Sequence, residues 1–177
     1  MSEPKEMQIR KTIMVVLGCF FCVACGYHLR GTGSSLPPHV QNINIPIFKN
    51  KTTRFQLDVK LTQSVIDEMV ARGKVEITSD VSSADATLQG EIIAFNVYPI
   101  AFSGEATADR YRIEIVANIV LWDRVNNRNI FSNPNFVYQQ EYEVQEGTDF
   151  ETVETEAIDK VALRFARSLV ITMLEGF

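Results

Sequence analysis

Between Arg110 and Trp122 the chain alternates with a period of two over a full strand length. Tyr111, Ile113, Ile115, Ala117, Ile119 and Leu121 fall on one side, and Arg110, Arg112, Glu114, Val116, Asn118, Val120 and Trp122 on the other. Side chains of an extended strand point alternately to opposite faces, so this run has one core face and one face left for solvent or a partner. Similar runs cover Ala86 to Val97 and Ile130 to Val144, the latter interrupted at Asn133-Pro134-Asn135, and a short one covers Val75-Glu-Ile77. Successive runs of this kind predict an antiparallel meander.

Two helical patterns flank the meander. Thr53-Arg-Phe-Gln56 has the spacing of a capping box and predicts a helix start, after which Leu57, Leu61, Val65, Ile66, Met69 and Val70 fill one broad side and Gly73 supplies the left-handed stop. Thr148-Asp-Phe-Glu151 repeats the signal before a long helix with Val153, Ile158, Val161, Phe165, Leu169 and Met173 on its apolar side and Gly176 at its end. Its acids Glu151, Glu154, Glu156 and Asp159 precede Lys160, Arg164 and Arg167, the order that complements the helix dipole. Upstream, Ile43, Ile45 and Ile47 alternate with Asn44, Pro46 and Phe48. This predicts a first strand with an open edge or bulge, because Pro46 cannot donate to a ladder. The expected fold is an α/β (α+β) two-layer sandwich. Two amphipathic helices pack on one face of a four-stranded, mixed, mostly antiparallel sheet in the order β-α-β-β-β-α. The first helix is a crossover, so its flanking strands can be parallel.

The N-terminus reads as an address. Lys5, Arg10 and Lys11 precede an uncharged run of thirteen residues from Thr12 to Ala24, shorter than the roughly 20 a membrane-spanning helix needs. Val23-Ala24-Cys25-Gly26 closes it like a lipobox, with Cys22 at the position where an aliphatic residue is usual. Residues 1–24 are therefore expected to be a lipoprotein signal peptide, Cys25 the lipidated first residue of the mature chain, residues 25–41 a tether and 42–177 a single domain. Several acyl chains on Cys25 would hold it at a membrane, each buried methylene adding about 0.8 kcal/mol. A signal cut at another small residue and an uncleaved anchor are the alternatives. Gly26 stands where aspartate is the inner-membrane retention signal of well-studied sorting systems, and its resemblance to the other class favours the outer membrane.

Catalytic and metal chemistry have little to work with. Cys19, Cys22 and Cys25 all lie in or at the end of the apolar run, and His28 and His39 both fall in the expected tether. No phosphate-cradling loop follows a strand, and of the acids Glu141, Glu143 and Glu146, alternation places Glu141 and Glu143 on the solvent side of a strand. The chain is expected to be no enzyme and to take no cofactor or metal. Its formal charge of −5 becomes −6 once residues 1–24 are set aside, which disfavours nucleic acid as a partner.

Cys25-Gly-Tyr-His-Leu-Arg-Gly31, Ile45-Pro-Ile-Phe-Lys-Asn50 with Thr52-Thr53, Ala86-Thr-Leu-Gln-Gly90 and Leu174-Glu-Gly-Phe177, in this order behind a lipobox, resemble the LptE family. This is the lipopolysaccharide-assembly lipoprotein family, also called rare lipoprotein B. The resemblance implies an outer-membrane lipoprotein, facing the periplasm and the barrel lumen, that plugs the LptD β-barrel and helps place lipopolysaccharide in the outer leaflet. It also implies that basic residues in loops near one end of the sheet bind lipopolysaccharide. The candidates are Arg124 and Arg128, with Arg110 and Arg112 as a second cluster, set against the reading that all four are ordinary solubilising arginines. Val116, Val120 and Trp122, apolar on the non-core face, are the candidate barrel contacts, set against the scattered apolar residues that an uncovered face often carries. The competing function is an independent lipoprotein that binds another envelope lipid.

Overall fold

A computed structural model describes residues 36–102, 108–143 and 150–175. Residues 1–24, expected as a signal segment, and Cys25, Thr148 and Gly176 lie outside them. The elements are β1 (Asn42–Asn44), β2 (Lys49–Asn50), α1 (Leu57–Arg72), β3 (Glu76–Thr78), β4 (Ala86–Phe102), β5 (Ala108–Asp123), β6 (Arg128–Glu143) and α2 (Phe150–Glu175). The sheet has six strands, not the expected four. Its order is β3-β1-β4-β5-β6, with β2 on the flank of β4.

The two extra strands have local causes. Pro46 ends β1 early, and the chain then resumes pairing as β2, parallel to β4 at Lys49↔Glu91 and Asn50↔Ile92. Ile43 and Ile45 stay buried, but beyond the proline the inward position falls to Phe48, and Ile47 becomes exposed instead of continuing the alternation. The short run around Glu76 pairs with β1 as a parallel edge, which also confirms that α1 is a crossover between parallel strands.

The predicted start of α1 is wrong. The cap residue is Gln56, left-handed at φ 56°, with no side-chain cap bond. Asn50 and Thr52 hold the preceding turn instead: Thr52 N donates to Asn50 Oδ1 at 2.9 Å, Asn50 Nδ2 to the Arg54 carbonyl at 2.8 Å, and Arg54 N to Thr52 Oγ1 at 3.2 Å. The helix therefore begins at Leu57, and it stops as expected at Gly73, φ 61°. Leu57, Leu61, Val65 and Met69 are buried at four-residue spacing, each contributing about 1.5–3 kcal/mol. Val70, expected beside them, is exposed. Thr62 joins this helix to the strand it follows, accepting from Phe48 N at 3.0 Å while donating to the Asp58 carbonyl at 2.6 Å.

Both helices cover the same face of the sheet. Ile158, Val161, Phe165, Leu169 and Met173 of α2 pack with α1 and with Ile113, Ile115, Ala117, Ile119 and Leu121 of β5 in one core. Phe165 meets the edges of Phe136 and Tyr138 at 5.4 and 6.2 Å between centroids, an arrangement worth about 0.5–1.5 kcal/mol per pair beyond area burial. The core also reaches upstream of residue 42. Leu36 and Val40 are buried in it, so residues 36–41, expected as tether, dock against the domain.

Candidate functional site

With both helices on one face, the other face of β4, β5 and β6 is bare among the described residues. Strict alternation along β5 puts Arg112, Glu114, Val116, Asn118, Val120 and Trp122 there, each half-buried by its neighbours on the flanking strands. The register resolves this face into rows. Ala94, Val116 and Val137 sit opposite one another across three strands and form an apolar centre. Val137 was not legible in the sequence because Asn133-Pro134-Asn135 breaks the alternation of β6. A bulge between Ile92 and Ala94 adds the exposed Ile93 beside that centre.

Polar rows frame the apolar centre and are internally satisfied. On one side Asn96 Nδ2 and Gln139 Nε2 donate to the two oxygens of Glu114 at 3.2 and 2.6 Å, and these bonds, that from Gln139 foremost, lower the carboxyl pKa. On the other, Val120 lines an open groove of about 360 Å³ with Pro46, Ile47, Lys49, Gln89, Glu91 and Asn118. Trp122, opposite Thr87 and Asn129, lies further along, toward the β5–β6 turn. The three predicted contact residues therefore share a face, and Ile47, Ile93 and Val137 extend it.

The four arginines do not form one site. Arg110 and Arg112 lie near one end of β5 and Arg124 follows its other end. At about 3.3 Å per residue the twelve-residue interval from Arg112 to Arg124 spans about 40 Å. Arg110 is paired with Glu143 at 3.0 Å and Arg112 with Glu141 at 2.7 Å, cross-strand and exposed, so this second basic cluster carries its own counter-charge. Such pairs contribute about 0.2–1 kcal/mol, so replacing Arg112 with alanine is expected to shift stability by no more than that in a denaturant titration. Arg124 is turned inward to the 81–84 loop, donating through Nη1 to the carbonyls of Val81 and Ala84. Arg128 is different: its side chain is 65% exposed and 3.9 Å from Asp123.

Beneath that turn lies a buried polar junction that sequence reasoning missed. Asp123 is fully buried and accepts from Val125 N and Asn126 N at 3.0 Å, from Asn126 Nδ2 at 3.0 Å and from His39 Nε2 at 3.0 Å. Burial pushes its carboxyl pKa up, but the hydrogen bonds from Asn126 and His39 outweigh it and bring the value down to about 2. Asp85 completes the junction by accepting from Gln41 N and Asn42 N at 2.9 and 2.8 Å. His39, expected in a free tether, thus fastens the 36–41 segment to the end of β5.

Two stretches that carried the family resemblance also meet in space. A Cβ on Gly90 would lie 2.5 Å from Phe48 Cγ, so the ring of one stretch rests on the bare backbone of the other. The model of the LptE family, described as lipopolysaccharide-assembly, matches residues 40–173. The chain belongs to the LptE family.

Two solved structures with TM-scores above 0.5 share the fold. A hypothetical protein from Chlamydia trachomatis is 9% identical, with 77% of this LptE-family chain and 96% of that chain covered and a TM-score of 0.53. A protein from Xanthomonas campestris is 12% identical, covering 79% and 90%, with a TM-score of 0.52. An uncharacterised lipoprotein B from Nitrosomonas europaea is 14% identical, covering 82% and 88%, at 0.49. A search of curated proteins gives no match. Membership of the LptE family supports a role as a lipopolysaccharide-assembly lipoprotein of the cell envelope. No described helix is long and apolar enough to cross a membrane.

Proposed function

We propose that this chain is lipidated on Cys25, held at the outer membrane, and seated in the lumen of an LptD-like β-barrel, where it assists delivery of lipopolysaccharide to the outer leaflet. The observation that carries this reading is the division of the sheet: both helices cover one face, while the other keeps an apolar centre between satisfied polar rows. A protein acting alone gains nothing from leaving Val116, Val137 and Ile93 half-exposed, whereas a docking face needs such a dry centre and polar rim. The reading requires no catalytic group, cofactor or metal, because surface complementarity does the work.

Co-expression of the full-length chain with the LptD-like barrel of its own organism, followed by membrane extraction and stringent purification, tests it. An equimolar complex is expected. No association, with both proteins folded and correctly localised, would instead favour a lipoprotein that binds another envelope lipid by itself.

For lipopolysaccharide itself, Arg128 is the arginine of the four that fits a phosphate contact, being exposed and next to a turn. Arg128→Gln, which removes the charge without setting a carboxylate against Asp123, is expected to weaken binding to a phosphorylated glycolipid by about tenfold while the fold is kept, as loss of a charge-assisted contact implies. Unchanged binding in the folded variant would remove Arg128 from the site. Arg124→Glu is the less informative change, because it detaches the 81–84 loop.

A further inference from the structure

Beyond Ile92, β4 continues to Phe102 paired with β5 on one side, but on the other side no described strand follows β1 and β2. An unpaired edge presents backbone N–H and C=O groups to any extended chain, and proteins usually guard such edges. The other edges here are guarded. β6 carries Arg128, Glu141, Glu143 and Pro134, and β3 has three residues, including Glu76. The β4 edge instead reads Ile93-Ala-Phe-Asn-Val-Tyr-Pro-Ile-Ala-Phe102 with no charge, and Ile93, Tyr98 and Phe102 are exposed along it.

The loop before α1 adds an aromatic flank to the same edge. Lys51 N donates to the Ile92 carbonyl at 3.0 Å, and the Arg54 guanidinium lies 6.0 Å from the Phe95 ring centroid. Phe55, next in sequence, is 82% exposed. The Asn50–Thr52 bonds and the left-handed Gln56 hold this turn in place, so its exposure is built into the loop.

Resting on the docking reading above, we propose that the β4 edge from Ala94 to Tyr98 accepts an extended, uncharged segment of the barrel partner as an added strand, with Phe55 packing against it. Backbone groups in a strand ladder specify an extended polypeptide, since each N–H and C=O needs its complement at strand spacing. The side chains of the strip carry no charge, so an apolar or neutral segment loses least on packing along it. Pro99 and the bulge after it end the regular stretch, which limits the added strand to a few residues. Through Ile93 and Tyr98 the edge is continuous with the bare face, so one partner can cover both.

The test uses the full-length chain co-expressed with the barrel, with a photo-crosslinking residue placed at Phe55 and, separately, at Val137 on the bare face. Crosslinks from both positions to the barrel polypeptide are expected, and Tyr98→Lys should cut the Phe55 crosslink about tenfold while the Val137 crosslink persists, as an edge lysine blocks strand addition. If Val137 links to the barrel while Phe55 links to this chain's own residues, to lipopolysaccharide or to nothing, the edge proposal is overturned and the docking reading stands. If neither position links to the barrel, both fall.

Discussion

Gly90→Ala is expected to lower stability by about 3 kcal/mol, far more than adding a methyl group to a strand normally would. A Cβ at this position would sit 2.5–2.6 Å from Cγ, Cδ1 and Cδ2 of Phe48, and Phe48 is itself buried at 2% exposure between β4 and α1. The ring cannot pivot away from contact at its root. It must leave its site, and losing a buried phenylalanine costs about 3–5 kcal/mol. For a domain of this size that corresponds to a fall of about 6–12 °C in melting temperature. The cause can be isolated with a double-mutant cycle: Phe48→Ala is costly alone, but in that background Gly90→Ala should add little. Equal costs of Gly90→Ala with and without the ring would show that the strand backbone, not the Phe48 contact, requires glycine.

The second large effect is expected at Asp123. Replacing it with alanine strands the donors of Val125, Asn126 and His39 around a buried site and frees the 36–41 segment at one of its two attachment points. A drop of about 5–10 °C in melting temperature follows from leaving several buried donors unmade. Asp123→Asn keeps the shape but loses the charge, and the difference between it and the wild type carries the pH dependence. The hydrogen bonds hold the folded carboxyl pKa down to about 2, below the 3.8 of an unperturbed aspartate. A depressed folded pKa contributes stability that is complete above the unfolded value and disappears as pH falls through the folded one. The gap in melting temperature between wild type and Asp123→Asn should therefore be flat from about pH 4 to pH 5 and shrink toward pH 2. A gap independent of pH over that window would mean that Asp123 is held by shape alone.

These two positions also mark how far the sequence could be read. Period-two alternation in β5 placed every core residue from Ile113 to Leu121 and every outward residue from Arg112 to Trp122, because one residue of slip would have exchanged the faces. The apolar stripe of α2 from Ile158 to Met173 was equally legible. The misreadings have two causes: a local turn that overrides a motif, and partners distant in sequence. Thr53 had the right spacing for a cap, but the turn built on Asn50 and Thr52 carries the chain to a left-handed Gln56, and the helix starts only at Leu57. His39 looked like part of a tether because nothing nearby signals Asp123, which is 84 positions away. The turn chemistry of Asp123-Arg-Val-Asn126 was a visible cue for an aspartate binding its own turn, though not for the histidine. The arginines were read as two pairs by charge, and the structure turned Arg124 inward, left Arg128 exposed and supplied Glu141 and Glu143 to the pair at the far end. Gly90 carried a resemblance whose reason, the Phe48 ring, became visible only in three dimensions.

The most direct test of the docking account compares two charge insertions of similar severity on opposite faces. Val137→Glu places a carboxylate in the apolar centre of the bare face, where the residue is 46% exposed, and Leu163→Glu places one on the outer surface of α2, where the residue is 59% exposed. Each variant is co-expressed with the LptD-like barrel and the purified complex quantified after both are shown to fold. The account predicts that the sheet-face variant loses the complex by tenfold or more, roughly the cost of burying unpaired charge at an interface centre, while the helix variant keeps it. Equal retention by the two, or loss confined to the helix variant, would contradict it.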